Sequence, residues 1–407
     1  MSSTKKAQKI DSRQRNVALI IESSNEYARK VIYGIRKYTR ENRQWSIFFH
    51  EHERGNPDLT WLVNWNGDGI LARIENPKIA DYVKNKELPT VDLSSFRLLP
   101  HIPYVETNDK KCAEVAAKHL LSRNFRNFAF CGDSQYNWSK LREKHFVRYI
   151  KEQGYPCFVF DSSAHSAFSF EARLEMIKWV KSLPKPIGIM ACFDNQGQEL
   201  LESCRVSNIS VPYTVAVVGC DNDELVCELA EPSMSSVIPN AVKTGYHAAL
   251  LLEKLMNGEE LEGLEYLFDP LGVQTRQSTD ALATNDKVVV EALDYINKNA
   301  CNGIKVQDVL ERIYLSRRAF ENRFLKSVGK TPHEVIQDVK IKYAKQLLEE
   351  TDLTVEEIAA KTGFFYAEYF CVAFKRHTSM VPSEYRKLNN TNISMNRQHK
   401  NPYAHVD

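Results

Sequence analysis

The residues best suited to chemistry lie in the last third of this 407-residue chain, and they occur twice. AFENRFLKSVGKTPHEV (319–335) aligns with YFCVAFKRHTSMVPSEY (369–385) at an offset of 50 residues. Phe320 matches Phe370, Phe324 matches Phe374, and Pro332 matches Pro382. Phe320 and Phe324 are four apart, so they share one helical face and point inward. Arg317, Arg318, Glu321 and Asn322 are left outside. A helix that projects Arg and Asn can pair with guanine O6/N7 and adenine N6/N7 in a DNA major groove. Ser316 is suited to cap that helix. The second copy starts with Phe365, Tyr366, Ala367 and Glu368, a face poorer in charge that offers apolar and stacking contacts.

Such helices must be held by a partner, and each copy supplies one. KVQDVLERIYLS precedes the first and TVEEIAAKTGFF the second. Val306, Val309 and Ile313 give one short helix a buried face, as do Val355, Ile358 and Ala359 in the other. Gly363 supplies the positive φ of a sharp turn. Each unit therefore reads as a helix-turn-helix. Eight basic residues face three acidic ones between 313 and 345. A bundle with solvated charges would not explain two copies at constant offset.

A second set of polar residues follows apolar runs in the first two thirds. VALII (17–21), WSIFF (45–49), GDGILARI (67–74) and PTVDLS (89–94) alternate with helix-period segments. The pattern then restarts with NFAFCGD (127–133), CFVFD (157–161), PIGIMACFD (186–194) and TVAVVGCDND (214–223). Buried strands alternating with amphipathic helices mark parallel sheets. Two such halves imply two lobes, with ligands bound outside the carboxyl ends of the strands. The strand-end candidates are Ser23, Ser24, Tyr27, Arg73, Ser94, Asn108, Trp138, Arg142, Phe193, Asp194, Asp221 and Asn240. Asp194 also reads as a helix cap, and Trp138 as core.

Catalytic constellations are missing. No Gly-rich phosphate loop, H-E-x-x-H or G-x-S-x-G occurs, and no cofactor is expected. HEHE (50–53) is a poor metal site and reads as solvent-facing, so no metal is expected either. The net charge of +2 names no partner. The nine cysteines form no C-x-x-C pair, which fits reduced thiols buried in a cytoplasmic protein. Neither a secretory signal nor an apolar span long enough for a membrane is found. The expected organisation is a disordered basic arm at 1–15, an α/β unit at 16–275, a linker at 276–286, an all-α unit at 287–388 and a disordered tail at 389–407. Lobe 1 is expected at about 16–107 and 241–268, and lobe 2 at about 108–240.

GFFYAEYFCVAFKRHTSMVPSEYR (363–386) resembles the signature of AraC-type regulators, and YLSRRAFENRFLKSVGKTP is similar to their first helix-turn-helix. The resemblance covers 285–388. It implies two units joined by a long helix, about 333–349, that dock in successive turns of double-stranded DNA. Ser379 replaces a usual Gly, Lys340 a common Arg, and Phe365 and Tyr366 small polar residues. Residues 16–275 are similar to LacI-family effector domains and periplasmic sugar-binding proteins of type I. VALIIESSNEYARKVIYGIRKY, VETNDKKCAEVAAKHLL, VAVVGCDND and SSVIPNAVKTGYHAA carry that likeness. Arg142 and Asp221 fall where LacI-like proteins place sugar ligands. A sensor of this type ahead of an AraC-type reader resembles bacterial pentose-operon regulators. This implies a transcriptional activator that answers to a small sugar, D-xylose or a related pentose, works as a homodimer and contacts RNA polymerase. A cytosolic sugar-binding protein, or a sugar-processing enzyme with a helical accessory domain, are the readings it competes with.

Overall fold

The computed structural model describes residues 14–42, 45–52, 57–164, 169–284 and 286–388. Most of the basic arm and all of the C-terminal tail expected above lie outside these residues. The chain forms two compact units that divide between Ala283 and Thr284.

The first unit contains two six-stranded sheets. In chain order the strands are β1 (Arg15–Ile20), β2 (Trp45–Phe49), β3 (Gly69–Ala72), β4 (Thr90–Asp92), β5 (Tyr104–Thr107), β6 (Asn127–Gly132), β7 (Cys157–Asp161), β8 (Ile187–Ala191), β9 (Val215–Cys220), β10 (Ser235–Ile238), β11 (Glu265–Phe268) and β12 (Gly272–Gln274). The first sheet runs β11-β5-β4-β3-β1-β2 and the second β12-β10-β9-β8-β6-β7. Among the described residues only the β10–β12 pairing is antiparallel. The sheets exchange chain three times, after β5, β10 and β11. The last exchange was not expected. It gives lobe 2 a strand, β12, beyond the 108–240 segment.

The burial pattern explains the parallel sheets. β3, β4, β5, β8 and β9 are buried at every position, as strands covered by helices on both faces must be. In lobe 1 the helix Glu26–Asn42 packs against Ala241–Met256. Their approach depends on two missing side chains. A Cβ at Gly34 would lie 2.1 Å from the Val242 carbonyl oxygen, and one at Gly245 would lie 1.9 Å from that of Val31. In lobe 2 a core of Phe125, Phe128, Phe130, Phe146 and Ile150 fills the space beneath the sheet. Six of the nine cysteines, at 112, 131, 192, 204, 220 and 227, are buried, in accord with their apolar neighbours.

The second unit is helical throughout its described length. Thr331 and Thr354 start two of its helices with capping boxes, each answered by a Glu three residues on. Phe320 and Phe324 are fully buried, as are Phe370 and Phe374. The long helix runs Pro332–Glu350 and carries Lys340, whose Nζ donates to the Gly363 carbonyl at 2.8 Å. Gly363 has φ +73, and a Cβ there would meet the Cys301 oxygen at 2.6 Å. Among the described residues no helix is long and apolar enough to cross a membrane, and no cluster could hold a metal ion.

The Gly245 crossing generates a prediction. Gly245→Ala must push the two lobe 1 helices apart, and overpacking costs about 1–3 kcal/mol. Chemical denaturation should show a lowered midpoint with an unchanged slope. An unchanged midpoint would show that the helices have room to separate.

Candidate ligand cleft and DNA-reading helices

The carboxyl ends of the two sheets carry the cleft. In lobe 1 the chain leaves β1 towards β2 on one side and returns to β3 on the other. That reversal is the switch point where open α/β sheets bind ligands. Glu22 follows β1 and Arg73 follows β3. Arg73 Nη1 donates to Glu22 Oε1 at 2.7 Å, and Nη2 donates to Glu75 Oε1 at 2.9 Å. The Arg73 guanidinium lies over the Tyr27 ring. Its Nε is buried without a hydrogen-bond partner. Tyr27 donates a short hydrogen bond to Glu106, and its oxygen accepts from Thr107 Oγ1 at 3.1 Å. Burial pushes Glu106 up from 4.5 to about 7, against the opposing pull of Arg73.

Lobe 2 repeats the plan with one central cation. Arg142, 5 % exposed, projects from the helix Asn137–Glu152. Its Nε donates to Asp109 at 2.8 Å, and Nη1 donates to the Cys192 carbonyl at 2.6 Å. Nη1 also lies 3.6 Å from Asp221 Oδ1. The guanidinium sits 4.9 Å from the centre of the Trp138 ring. Trp138 stacks on Tyr136 and meets Phe193 edge-on. Burial raises the Asp109 carboxyl above its ordinary range, with Arg142 opposing it.

Asp221 has φ +114, a conformation that L residues rarely adopt. Strain of this kind persists only where neighbours enforce it. Here the enforcer is Asp194. Its Oδ2 accepts from the Asp223 amide at 2.7 Å, and its Oδ1 accepts from Ser236 Oγ at 2.6 Å. Ser236 Oγ in turn accepts from the Asn222 amide. Asp194 is fully buried, and burial raises its pKa, with the Asp221 charge adding to the rise. The loop 221–223 also touches the exit of the unit. Arg276 Nη1 donates to Asn222 Oδ1 at 2.9 Å and to the Met234 carbonyl at 3.0 Å. The lobes meet directly where Lys30 Nζ donates to the Asn222 carbonyl and Asn137 Nδ2 to that of Ser95.

Of the strand-end residues expected to face a ligand, Tyr27, Arg73, Trp138, Arg142, Phe193 and Asp221 gather at these two sites. Others are engaged elsewhere. Ser94 Oγ donates to the Ile74 carbonyl and accepts from the Phe96 amide, so it builds a turn. Asn108 caps the helix Asp109–Leu121 and donates to Asp269. Asp194 holds the Asp221 loop rather than facing outward. Ser23 donates to Glu51, and Ser24 is exposed. Asn240 sits at the start of Ala241–Met256 without a side-chain cap bond. Four carboxylates of the cleft, Glu22, Glu75, Glu106 and Asp109, were not expected. Their signal is an acidic residue in or just past an apolar strand end that is buried, where charge needs a partner.

The residues expected to read DNA lie at the starts of two helices of the second unit. Ser316 Oγ caps Arg317–Val328 at the Ala319 amide. Arg317, Arg318 and Asn322 are exposed, and Arg317 pairs with Glu321 at 2.9 Å. Phe365, Tyr366 and Glu368 are exposed at the start of Ala367–Thr378, and Ala367 is half-buried.

A two-lobed sensor with a charged cleft, followed by two helix-turn-helix units, defines a ligand-responsive DNA-binding regulator. Comparison agrees. Residues 16–110 match the XylR N-terminal domain, 117–279 a periplasmic binding protein-like domain, and 309–388 a helix-turn-helix domain. The chain is 34% identical to the xylose operon regulatory protein of Haemophilus influenzae, over 91% of this chain and 97% of that one. It is 32% identical to the protein of that name from Escherichia coli, over 93% and 98%. The chain belongs to the family of xylose operon regulatory proteins, which are transcriptional regulators of AraC type and not enzymes. A solved structure of the xylose-binding transcription activator XylR matches with a TM-score of 0.80 at 31% identity, over 93% of this chain and 99% of that one. A LacI-like protein of Alkaliphilus metalliredigens, solved with D-xylulofuranose, matches at 0.55 and 20% identity over 66% of this chain and all of its own, and shows the fold of the sensor alone.

Glu106 sets a pH dependence. Its folded pKa of about 7 lies above the ordinary 4.5, so the native state holds a proton that the unfolded chain releases. Its contribution to stability is full below pH 4.5 and is lost as pH rises through 7. Glu106→Gln should remove that loss. The melting temperature of wild type relative to the variant should fall across the window. Parallel curves would show that Glu106 titrates normally.

Proposed function

We propose that this chain is a cytoplasmic transcriptional activator that binds D-xylose between the lobes of a sensor at 16–275. On this reading it presents the reader at 287–388 to operator DNA as a homodimer and contacts RNA polymerase. The observation that carries the sugar reading is the pair of buried guanidinium sites, Arg73 and Arg142, set at the carboxyl ends of the two sheets among carboxylates and aromatic rings. A pentose hydroxyl both donates and accepts. Asp221, Glu22 and Glu106 supply acceptors, Arg73 and Arg142 supply donors, and Trp138, Phe193 and Tyr27 supply faces for the ring carbons. The names of the Haemophilus and Escherichia relatives, and of the solved activator, favour D-xylose among the pentoses.

Sugar shifts the lobes only by its differential affinity for their closed form. Asp221 is the contact that closure would tighten, and Asn222 beside it bonds Arg276 on the segment that leads to the reader. That route lets a change at the cleft reach the join between the units. Two readers in one dimer raise each other's effective concentration on DNA.

Two substitutions separate the functions. Asp221→Asn removes a charged acceptor, worth about 1.5–3 kcal/mol. The D-xylose dissociation constant should rise about tenfold or more by calorimetry, with operator affinity in the absence of sugar retained. Arg317→Ala should weaken operator binding in a gel shift and leave the thermal shift with D-xylose intact. A sugar response lost in Arg317→Ala, or wild-type sugar affinity in Asp221→Asn, would contradict the assignment.

A further inference from the structure

The two recognition helices are built alike but present different chemistry. Arg317–Val328 and Ala367–Thr378 are each 12 residues long. Each buries a Phe pair, with ring centroids 5.4 Å apart in the first and 5.6 Å in the second. Each ends at a left-handed residue, Gly329 at φ +76 and Ser379 at φ +63. The offset of 50 therefore superposes outer face on outer face. Arg317 corresponds to Ala367, Arg318 to Glu368, Ala319 to Tyr369 and Asn322 to Val372.

The donors of the first helix thus give way to carbon. Val372 is 67% exposed, Tyr369 53% and Tyr366 72%. The first turn of the second helix carries an acid, Glu368, and its basic residues, Lys375, Arg376 and His377, lie in the last turn. Its first turn offers no Arg, Lys, Asn or Gln for bidentate pairing with a purine edge. In the major groove the one apolar group on a base edge is the thymine 5-methyl.

We propose that the second recognition helix reads thymine methyl groups through Val372 and Tyr369, while the first reads purine edges through Arg317, Arg318 and Asn322. This rests on the DNA-reading assignment of the second unit. The face lies on the same helix as Ala367 and Glu368 of that assignment, and the basic last turn supplies charge for phosphates on that helix. Because the contact is apolar, it adds specificity without adding to the salt dependence that phosphate contacts bring.

Selection of binding sites from a random DNA pool by the full-length protein gives the operator. The same selection with Val372→Asn, which places at 372 the amide that the first helix carries at 322, should enrich adenine where wild type enriches thymine. Deoxyuridine in place of thymidine at those positions removes only the methyl. It should weaken wild type about fourfold per contacted methyl, from the transfer value of a buried methylene. Val372→Ala should lose that sensitivity and keep the wild-type salt slope. Full affinity for the deoxyuridine operator would overturn the proposal while leaving DNA reading in place. So would a Val372→Ala variant with wild-type affinity that fails only in transcription, since the face would then contact a protein. Recovery of no preferred sequence by wild type would overturn the DNA-reading assignment as well.

Discussion

A guanidinium taken out of water must be surrounded by acceptors, and the geometry of the sensor follows from how Arg142 meets that demand. Three separate segments converge on it: Asp109 just after the first lobe exchange, the carbonyl of Cys192 just past β8, and Asp221 at the end of β9. None of the three is close to Arg142 in sequence. The cation therefore fixes the relative positions of a crossover, a strand end and a strained loop. Such an arrangement adds little net stability, because desolvation offsets attraction, but breaking one side costs about 3–5 kcal/mol. Its value is positional. Arg73 plays the same part in lobe 1, between Glu22 and Glu75. In both lobes carboxylates outnumber the cation, and burial answers with a raised pKa at Glu106 in lobe 1 and at Asp109 in lobe 2.

Much of this was legible in the residues. The repeat at an offset of 50 carries the helix-turn-helix pair because helix packing needs Phe at fixed spacing, and fixed spacing survives in a linear string. Arg73 and Asp221 are visible because a charged residue just past an apolar run must face a cleft or a partner, whereas Arg142, inside the helix Asn137–Glu152, is marked by the likeness to LacI-type sensors. The strands Tyr104–Thr107, Glu265–Phe268 and Gly272–Gln274 are not marked by composition. They are short and partly polar, and pairing with distant chain, rather than their own pattern, makes them strands. For the same reason the third exchange between lobes is invisible locally.

The site residues divide along a similar line. Asp194 and Asn108 look like ligand contacts because they stand at strand ends. What separates them from Asp221 is the identity of the amides nearby, which depends on folding of segments far along the chain. Asp194 is decisive in another way. It binds the backbone of 222–223 through Asp223 and, by way of Ser236, Asn222, and so compels the positive φ at Asp221. A residue expected to touch the ligand is instead bonded to the loop that carries Asp221. Glu22, Glu75, Glu106 and Asp109 escape notice because acidic residues are mostly exposed, and only the folded surroundings of the strand ends reverse that expectation.

The two units divide the chemistry between them. The sensor buries its charges and uses them at close range, whereas the reader exposes Arg317, Arg318 and Asn322 on one helix and an apolar face on another. The join begins at Arg276, which holds Asn222 beside the strained Asp221. Amide hydrogen exchange of the full chain with and without D-xylose is the most direct measure of a sugar held between the lobes. Binding should slow exchange on both sides of the cleft together, at 73–75 and 106–107 in lobe 1 and at 138–142 and 221–223 in lobe 2. Protection confined to one lobe, or none at saturating sugar, would contradict a ligand bound between them.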